Sequence, residues 1–184
     1  MLSPNFSPFP EITTERLFLR RMTTQDAVEM FHLRSSENVM KYIDRPNAKS
    51  ITDAEIYIGR IEESINSDSG IMWGITLKEN RDKLIGNIGF WRLIKEHYRA
   101  EVGYMLHPDF WKKGMMKEAL LQVIDFGFNN INLHSIEAHI KPDNIGSARL
   151  LESTGFSKEA HFKENFFFEG TFRDTVIYSK LNIL

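Results

Sequence analysis

Apolar and polar positions change period several times along the chain, and the changes mark its elements. Arg16–Arg20 alternates polar and apolar residues and reads as an opening strand. Thr23, followed three positions on by Asp26, has the form of a helix start, and Ala27, Met30, Phe31 and Arg34 continue at helical spacing. A second stripe, Ala54, Ile58, Ile61 and Ile65, lies on one helix face. Thr52 is the expected cap of that helix, with Glu55 at its third position, Ile51 stapled onto Ile56, and Ser67–Gly70 ending it. Strand patterning follows. Residues 71–77 and 84–93 flank a polar turn at Lys78–Asp82, and 101–106 is a third strand of the same kind. The loop His107–Lys113 leads into a helix from about Gly114 to Asn130, with the stripe Met116, Leu120, Val123, Ile124 and Gly127. A short strand over 134–141, a helix over 144–153 closed by Gly155, and a terminal hairpin (162–168 and 172–181 around Glu169–Gly170) complete the order. The expectation is α+β, mixed α/β, with one mostly antiparallel sheet of about seven strands covered by about four helices.

The chain of 184 residues is of a size for one domain, 1–184, and Pro4, Pro8 and Pro10 make residues 1–10 a loose lead-in. No repeat or low-complexity segment interrupts it. A formal charge of -2 lacks the basic footprint of a nucleic-acid binder, so no direct nucleic-acid contact is expected. With no cysteine, disulfides, thiolate metal sites and cysteine nucleophiles are excluded, and the six histidines form no close ligand pattern, so no metal is expected. No apolar run approaches a membrane span, and the start lacks a secretion signal; a cytoplasmic protein without membrane contact is expected.

The stretch that carries chemistry is the strand 101–106, its loop, and Lys112-Lys113-Gly114-Met115-Met116 at the start of a helix. Glycine at that junction lets the backbone approach a ligand, and the free N–H groups of the first turn favour an anion. Lys112, Lys113 and Lys117 crowd the same turn against the helix dipole, each unfavourable by roughly 0.3–1 kcal/mol unless a polyanion is bound. A merely solvated basic face is the alternative. Neither a Walker A sequence nor GxGxxG is present.

The run from Glu101 through Gly103, Tyr104, Trp111 and Gly114 to Ala119 resembles the acetyl-CoA-binding core of the GNAT acetyltransferases, most closely the RimJ/RimL type that acetylates ribosomal-protein N-termini. Ile136–Phe156, with Asn144, Ser147 and Gly155, is similar to that subgroup, as are Thr14-Glu15-Arg16-Leu17 and the pair Gly170 and Asp174. The resemblance implies a GNAT fold with its central sheet splayed in the middle and the pantetheine arm of acetyl-CoA in the gap. It further implies pairing with main-chain groups of Met105 and Leu106, and a pyrophosphate on the amides of Lys112, Lys113, Gly114, Met115, Met116 and Lys117. The family loop opens with Gln or Arg and closes with Gly or Ala, often with Gly after the Trp; here Trp111, Lys112 and Met116 stand there, and Met116 adds bulk.

The implied reaction is transfer of acetyl to a primary amine by direct attack in a ternary complex. An α-amine, with a pKa near 8, is roughly 10% free base at pH 7 against under about 0.1% of a lysine, so a modest base suffices for an N-terminal acceptor. In similar enzymes a carboxylate at the position of Glu101 takes the proton through water; an exposed strand-end carboxylate or an ion pair with Arg99 is the other reading. His139 is the second candidate base, five residues before Asn144, where some protein N-terminal acetyltransferases carry a His. Leu151 occupies the family's tyrosine position, and the RimJ/RimL resemblance implies instead that Ser147 hydrogen-bonds the leaving thiolate, with local bonding in the first helical turn as the other reading; Asn144 is expected to cap the helix and contact the pantetheine region. Core packing is the simpler reading of Met115 and Met116 and of Phe166-Phe167-Phe168, while Trp73 and Trp91 fit either core or acceptor pocket. The partner is thus an amine acceptor, a protein N-terminus or a small molecule of aminoglycoside or polyamine kind, with the protein a monomer or homodimer. Acidic residues of the 23–65 segment (Glu29, Glu37, Asp44, Glu55, Glu62, Glu63) can attract a cationic acceptor, but a solvated acidic face is the commoner explanation and the count does not decide between them. Met116 and Leu151 keep open a non-catalytic acyl-CoA sensor.

Overall fold

The computed structural model describes residues 1–182, which leaves the last two residues of the expected 1–184 domain outside it. Eight strands form one sheet: β1 (Ile12–Thr13), β2 (Leu17–Arg20), β3 (Ile71–Leu77), β4 (Asn80–Ile94), β5 (Arg99–Leu106), β6 (Ser135–Ile140), β7 (Ser157–Phe168) and β8 (Thr171–Leu181). Five helices cover it: α1 (Ala27–Ser35), α2 (Glu37–Met40), α3 (Ile51–Asn66), α4 (Met115–Asn129) and α5 (Ile145–Ser153). The strand order is β1-β2-β3-β4-β5-β6-β8-β7, antiparallel throughout except where β5 meets β6. The α+β architecture is as expected. The elements beyond the expected seven strands and four helices are β1, of two residues, and α2, a single turn, both too short for a periodicity to register.

Helix starts follow capping chemistry. Thr23 and Asp26 form a capping box, as their spacing predicts. The box of α3 uses Ser50 and Asp53 instead of Thr52 and Glu55, so that helix begins two residues earlier, and Ile51 and Ile56 face solvent rather than stapling. Its stripe of Ala54, Ile58, Ile61 and Ile65 is buried as expected. The β3–β4 turn is only Lys78–Glu79, with Leu77 paired to Asn80; register shifts around Thr76 absorb the polar residues that resembled a longer loop.

Helices cover both faces of the sheet. Trp73 on β3 meets the Phe126 ring of α4 edge-on at 5.1 Å, which makes it core and not pocket. Its neighbour Gly74 pairs with Asn87, whose amide donates to Tyr57 of α3 at 3.2 Å. Successive strand residues point to opposite faces, so α4 and α3 lie on opposite sides. The lead-in has no regular element, yet Leu2 and Phe6 are buried and Pro10 accepts a hydrogen bond from Trp73 Nε1 at 2.6 Å.

Asp26 ties the first helix to the sheet. It is 2% exposed, accepts both guanidinium nitrogens of Arg20 (2.8 and 2.6 Å), and closes the capping box from Thr23 N at 2.9 Å. Removing one partner of such a buried pair strands the other, so Asp26→Ala is expected to lower unfolding free energy by about 3 kcal/mol, read by urea denaturation.

Candidate active site

A cleft of about 1400 Å³ opens where β5 and β6 part. The two strands pair for three residues only, Arg99–Glu101 against Ser135–Glu137, while β6 goes on pairing with β8 as far as Ile140. The rest of β5 faces open space. His107 N donates to Ile85 O at 2.8 Å, toward β4, and backbone direction alternates along a strand. The Met105 amide and carbonyl therefore belong to the β4 ladder, and the main-chain groups turned to the gap are those of Tyr104 and Leu106. The Leu106 carbonyl also accepts Trp111 Nε1 at 2.7 Å. Of the two residues expected to pair with a ligand here, Leu106 faces the gap with its main chain, and Met105 lines the cleft only with its side chain.

At the other end of β5 the chain turns through Lys112 (φ 59) and Gly114 (φ 77) into α4. Both residues are left-handed, which glycine adopts freely and lysine at some strain. No side chain caps α4, so its first N–H groups are free toward the cleft. Lys112, Gly114, Met115, Met116 and Lys117 line the cleft, whereas Lys113 sits off it with Nζ 5.7 Å over the Phe110 ring. Met115 and Met116 are half-buried, packed against the core and open to the cleft at once.

The loop is held from a distance. Arg16 Nη1 donates to Lys113 O at 2.9 Å, and Glu118 of α4 accepts Arg16 N (2.8 Å), Arg16 Nε (2.7 Å) and Thr14 Oγ1 (2.5 Å). That is the physical content of the Thr14–Leu17 motif. Burial pushes the Glu118 carboxyl up, but the hydrogen bonds from Thr14 and Arg16 outweigh it and hold the value below the usual carboxylate range.

Where β5 and β6 still touch, charged groups meet. Glu101 is 6% exposed; its carboxylate lies 3.7 Å from His139 Nδ1 and 3.8 Å from Arg92 Nε. Glu137 lies 3.6 Å from His139 Nε2, 3.6 Å from Arg92 Nη2 and 3.5 Å from Arg99 Nε. Arg99 thus pairs with Glu137 and not with Glu101, whose strand-end position is buried rather than exposed. Burial, reinforced by Glu137 and opposed by His139 and Arg92, raises the Glu101 pKa. Its Oε2 has no hydrogen-bond partner. Ligand atoms of Glu101, Glu137 and His139 lie within 4.8 Å of one another, as a metal site needs, but Arg92 and Arg99 already bring positive charge against the same carboxylates.

On the opposite face of β5, the Tyr104 hydroxyl is buried without a hydrogen-bond partner, and burial pushes its pKa up to about 12. Ser147 lies close enough to temper that rise, at the first turn of α5, where its N–H donates to Asn144 Oδ1 at 3.1 Å. Asn144 is the cap it was expected to be. Leu151, at the family's tyrosine position, is wholly buried core.

Residues 16–157 match the acetyltransferase (GNAT) domain family. The chain belongs to the GNAT acetyltransferase family. It is 37% identical over 171 residues to the uncharacterized N-acetyltransferase YoaA of Bacillus subtilis, covering 93% of this chain and 96% of that one. It is 26% identical to the Escherichia coli [ribosomal protein uS5]-alanine N-acetyltransferase (92% and 90% covered), and 25% identical to the Vibrio cholerae spermidine N(1)-acetyltransferase (86% and 89% covered). RimL, the ribosomal L7/L12 α-N-protein acetyltransferase solved with coenzyme A, has the same fold: TM-score 0.84 at 16% identity, with 94% and 98% of the chains covered. This GNAT chain is an acyltransferase, and acetyl-CoA is the donor its family uses. The uncapped α4 terminus, the unpaired β5 edge and the orphaned Tyr104 hydroxyl fit such a donor.

Sequence reasoning brought Glu101, His139, Asn144 and Ser147 to one cleft, where all four stand. It missed Arg92, Glu137, Tyr104 and Glu118. Glu137 was accessible from alternation, two residues before His139 on one strand face; Arg92 was not, because a bulge at Trp91 resets its face. The Glu118 tether yields a prediction. Glu118→Ala is expected to weaken acetyl-CoA binding about tenfold by calorimetry, through one lost charged hydrogen-bond set. Because the Glu118 pKa is lowered, the tether of the unsubstituted protein is intact above the usual carboxylate range and is lost as pH falls through the lowered value.

Proposed function

We propose that this enzyme acetylates a primary amine, a protein N-terminal α-amine before others, with Glu101 as the base and Ser147 and Tyr104 at the leaving sulfur. The single observation that carries the reading is the raised, solvent-poor carboxylate of Glu101 at the point where β5 and β6 part. The domain is taken as residues 1–184. Lys112, Gly114, Met115, Met116 and Lys117 would hold the diphosphate of acetyl-CoA, Lys113 contributing its main chain, with Leu106 and Asn144 along the pantetheine arm. When bound, acetyl-CoA supplies the thioester carbon that the amine attacks.

The protein's own groups then handle the protons. The Glu101 carboxylate, whose Oε2 is buried and unpartnered among the described residues, takes one from the incoming ammonium through water. Its separations of 3.7 Å from His139 Nδ1 and 3.8 Å from Arg92 Nε exceed direct hydrogen bonds, so the relay can pass through solvent. His139, with Nδ1 3.7 Å from the Glu101 carboxylate, stands beside the base and does not act alone. Tyr104, with a pKa of about 12, keeps its proton at neutral pH and lends it as a hydrogen bond through Ser147 to developing negative charge. This fills the role that Leu151 vacates, and it favours turnover over a mere acyl-CoA sensor. The N-terminal reading draws support from the uS5-alanine relative and from the α-amine being already partly neutral near pH 7.

Glu101→Gln is expected to lower kcat by about a hundredfold in a CoA-release assay with a Ser- or Ala-starting peptide, while acetyl-CoA affinity holds. In the unsubstituted enzyme kcat/KM rises as pH climbs through the raised Glu101 value, since only the carboxylate accepts a proton. That limb disappears in Glu101→Gln, leaving the titration of the amine itself. Full turnover in both Glu101→Gln and Ser147→Ala would overturn the assignment.

A further inference from the structure

Beyond Glu101 the cleft runs on under α1, α2 and α3. The acidic residues of this segment fitted either a wall attractive to cations or a solvated face, and of the six only Asp44 reaches the cleft. It is neutralised there by Lys141 Nζ at 2.8 Å and by Arg173. Glu62 is tied to Arg21 elsewhere. The cationic side chains of this wall are Arg34, Arg45 and Arg60, and among the described residues none of them pairs with a carboxylate. Arg34 is held by stacking, its guanidinium 4.2 Å from the centre of the Tyr57 ring, an arrangement that fixes the plane and leaves the N–H edges free.

A second, independent feature sits at the floor. Asn87 is wholly buried; one end of its amide bonds to the Tyr57 hydroxyl, and the other, Oδ1, has no partner although it borders the cleft. Buried amide atoms are seldom left unmatched by the chain itself. Asn87 pairs with Met105, and Met105 and Glu101 share a face of β5, so the orphaned amide, the arginine wall and the base all look onto the same side of the sheet. The donor terminus at α4 is on the other side.

We propose that this wall is an anion subsite for the acceptor: the molecule that presents its amine to Glu101 carries a carboxylate or phosphoryl group received by Arg34 and Arg60, and an N–H that Asn87 Oδ1 accepts. The inference rests on the acetyl-transfer reading for its geometry and deepens it, because it names the acceptor class as acidic amines. Three unpaired guanidinium groups on a concave surface raise the local positive potential, which draws an anion and repels a polycation. Spermidine is therefore the wrong acceptor for this chain.

The test uses the full-length protein saturated with CoA, so that the basic α4 loop is blocked. Calorimetric titrations compare C-terminally amidated Ser-Asp-Asp-Ala, Ser-Ala-Ala-Ala and Ser-Lys-Lys-Ala, with aminoethyl phosphate against ethanolamine as the phosphoryl arm and spermidine as the cationic control. CoA release from acetyl-CoA is measured in parallel. The acidic peptide, aminoethyl phosphate, or both are expected to bind about tenfold more tightly than their neutral counterparts, with the lysine peptide and spermidine weaker than either. Which arm shows the gain separates a carboxylate from a phosphoryl source. Arg60→Gln narrows the difference and Arg34→Gln/Arg60→Gln abolishes it; Arg60 is exposed, so its variant keeps the test valid should loss of the Arg34 stacking unsettle the helices. Equal affinities, or a preference for the cations, overturn the subsite even if every peptide is acetylated. Selective acidic binding without CoA release upholds the subsite and overturns the acetyl-transfer reading instead.

Discussion

Three residues of parallel pairing between β5 and β6 govern the rest of this molecule. Had the ladder continued to Leu106 and Ile140, the sheet would be closed and every main-chain group of β5 would be spent inside it. Because it stops at Glu101, a strand edge is left unmatched in the middle of a sheet, where edges are normally unavailable. The packing on either side keeps the strands from closing again: β6 is held by β8 along its whole length, and β5 by β4. The gap is thus a consequence of neighbours on both sides pulling in register with themselves, and its polar lining follows from the unpaired backbone.

The same stopping point concentrates charge. Glu101 and Glu137 are the last paired residues of their strands, side by side, and two like carboxylates at that spacing would repel unless cations joined them. Arg92, Arg99 and His139 do so at distances too long to neutralise Glu101 fully. The result is a carboxylate that is buried, incompletely paired and accessible from one side. Structural ion pairs look different, as Arg20 and Asp26 show with bidentate contacts and no open side. On the other face the phenol of Tyr104 keeps its proton for the same first reason that the Glu101 value is raised, burial.

Much of this was legible in the chain. The amphipathic stripes of α3 and α4 and the alternating strands follow from periods of 3.6 and 2, which burial enforces residue by residue. Glu101, Asn144 and Ser147 were legible because they sit in the runs that carry the family resemblance, and Asn144 also because a helix cap has a local signature. Side chains that meet across long separations were not. Arg16 and Glu118 stand far apart in sequence, and nothing local in either announces the other. Arg92 depends on a bulge, and the charge of the acceptor wall depends on which residues of α1–α3 turn inward: Glu29, Glu55 and Glu63 populate the segment, but the inward positions belong to Arg34 and Arg60. Composition counts charges without regard to direction, so it left the sign of the wall undecided.

Asp44 holds Lys141 at the end of β6 and Arg173 on β8, so the stretch after α2 is riveted to the strands that frame the gap. The rim is thereby joined to the sheet by charge as well as by chain. One carboxylate holds two cations from two strands, so a change at that single position would loosen the acceptor side of the cleft from both at once.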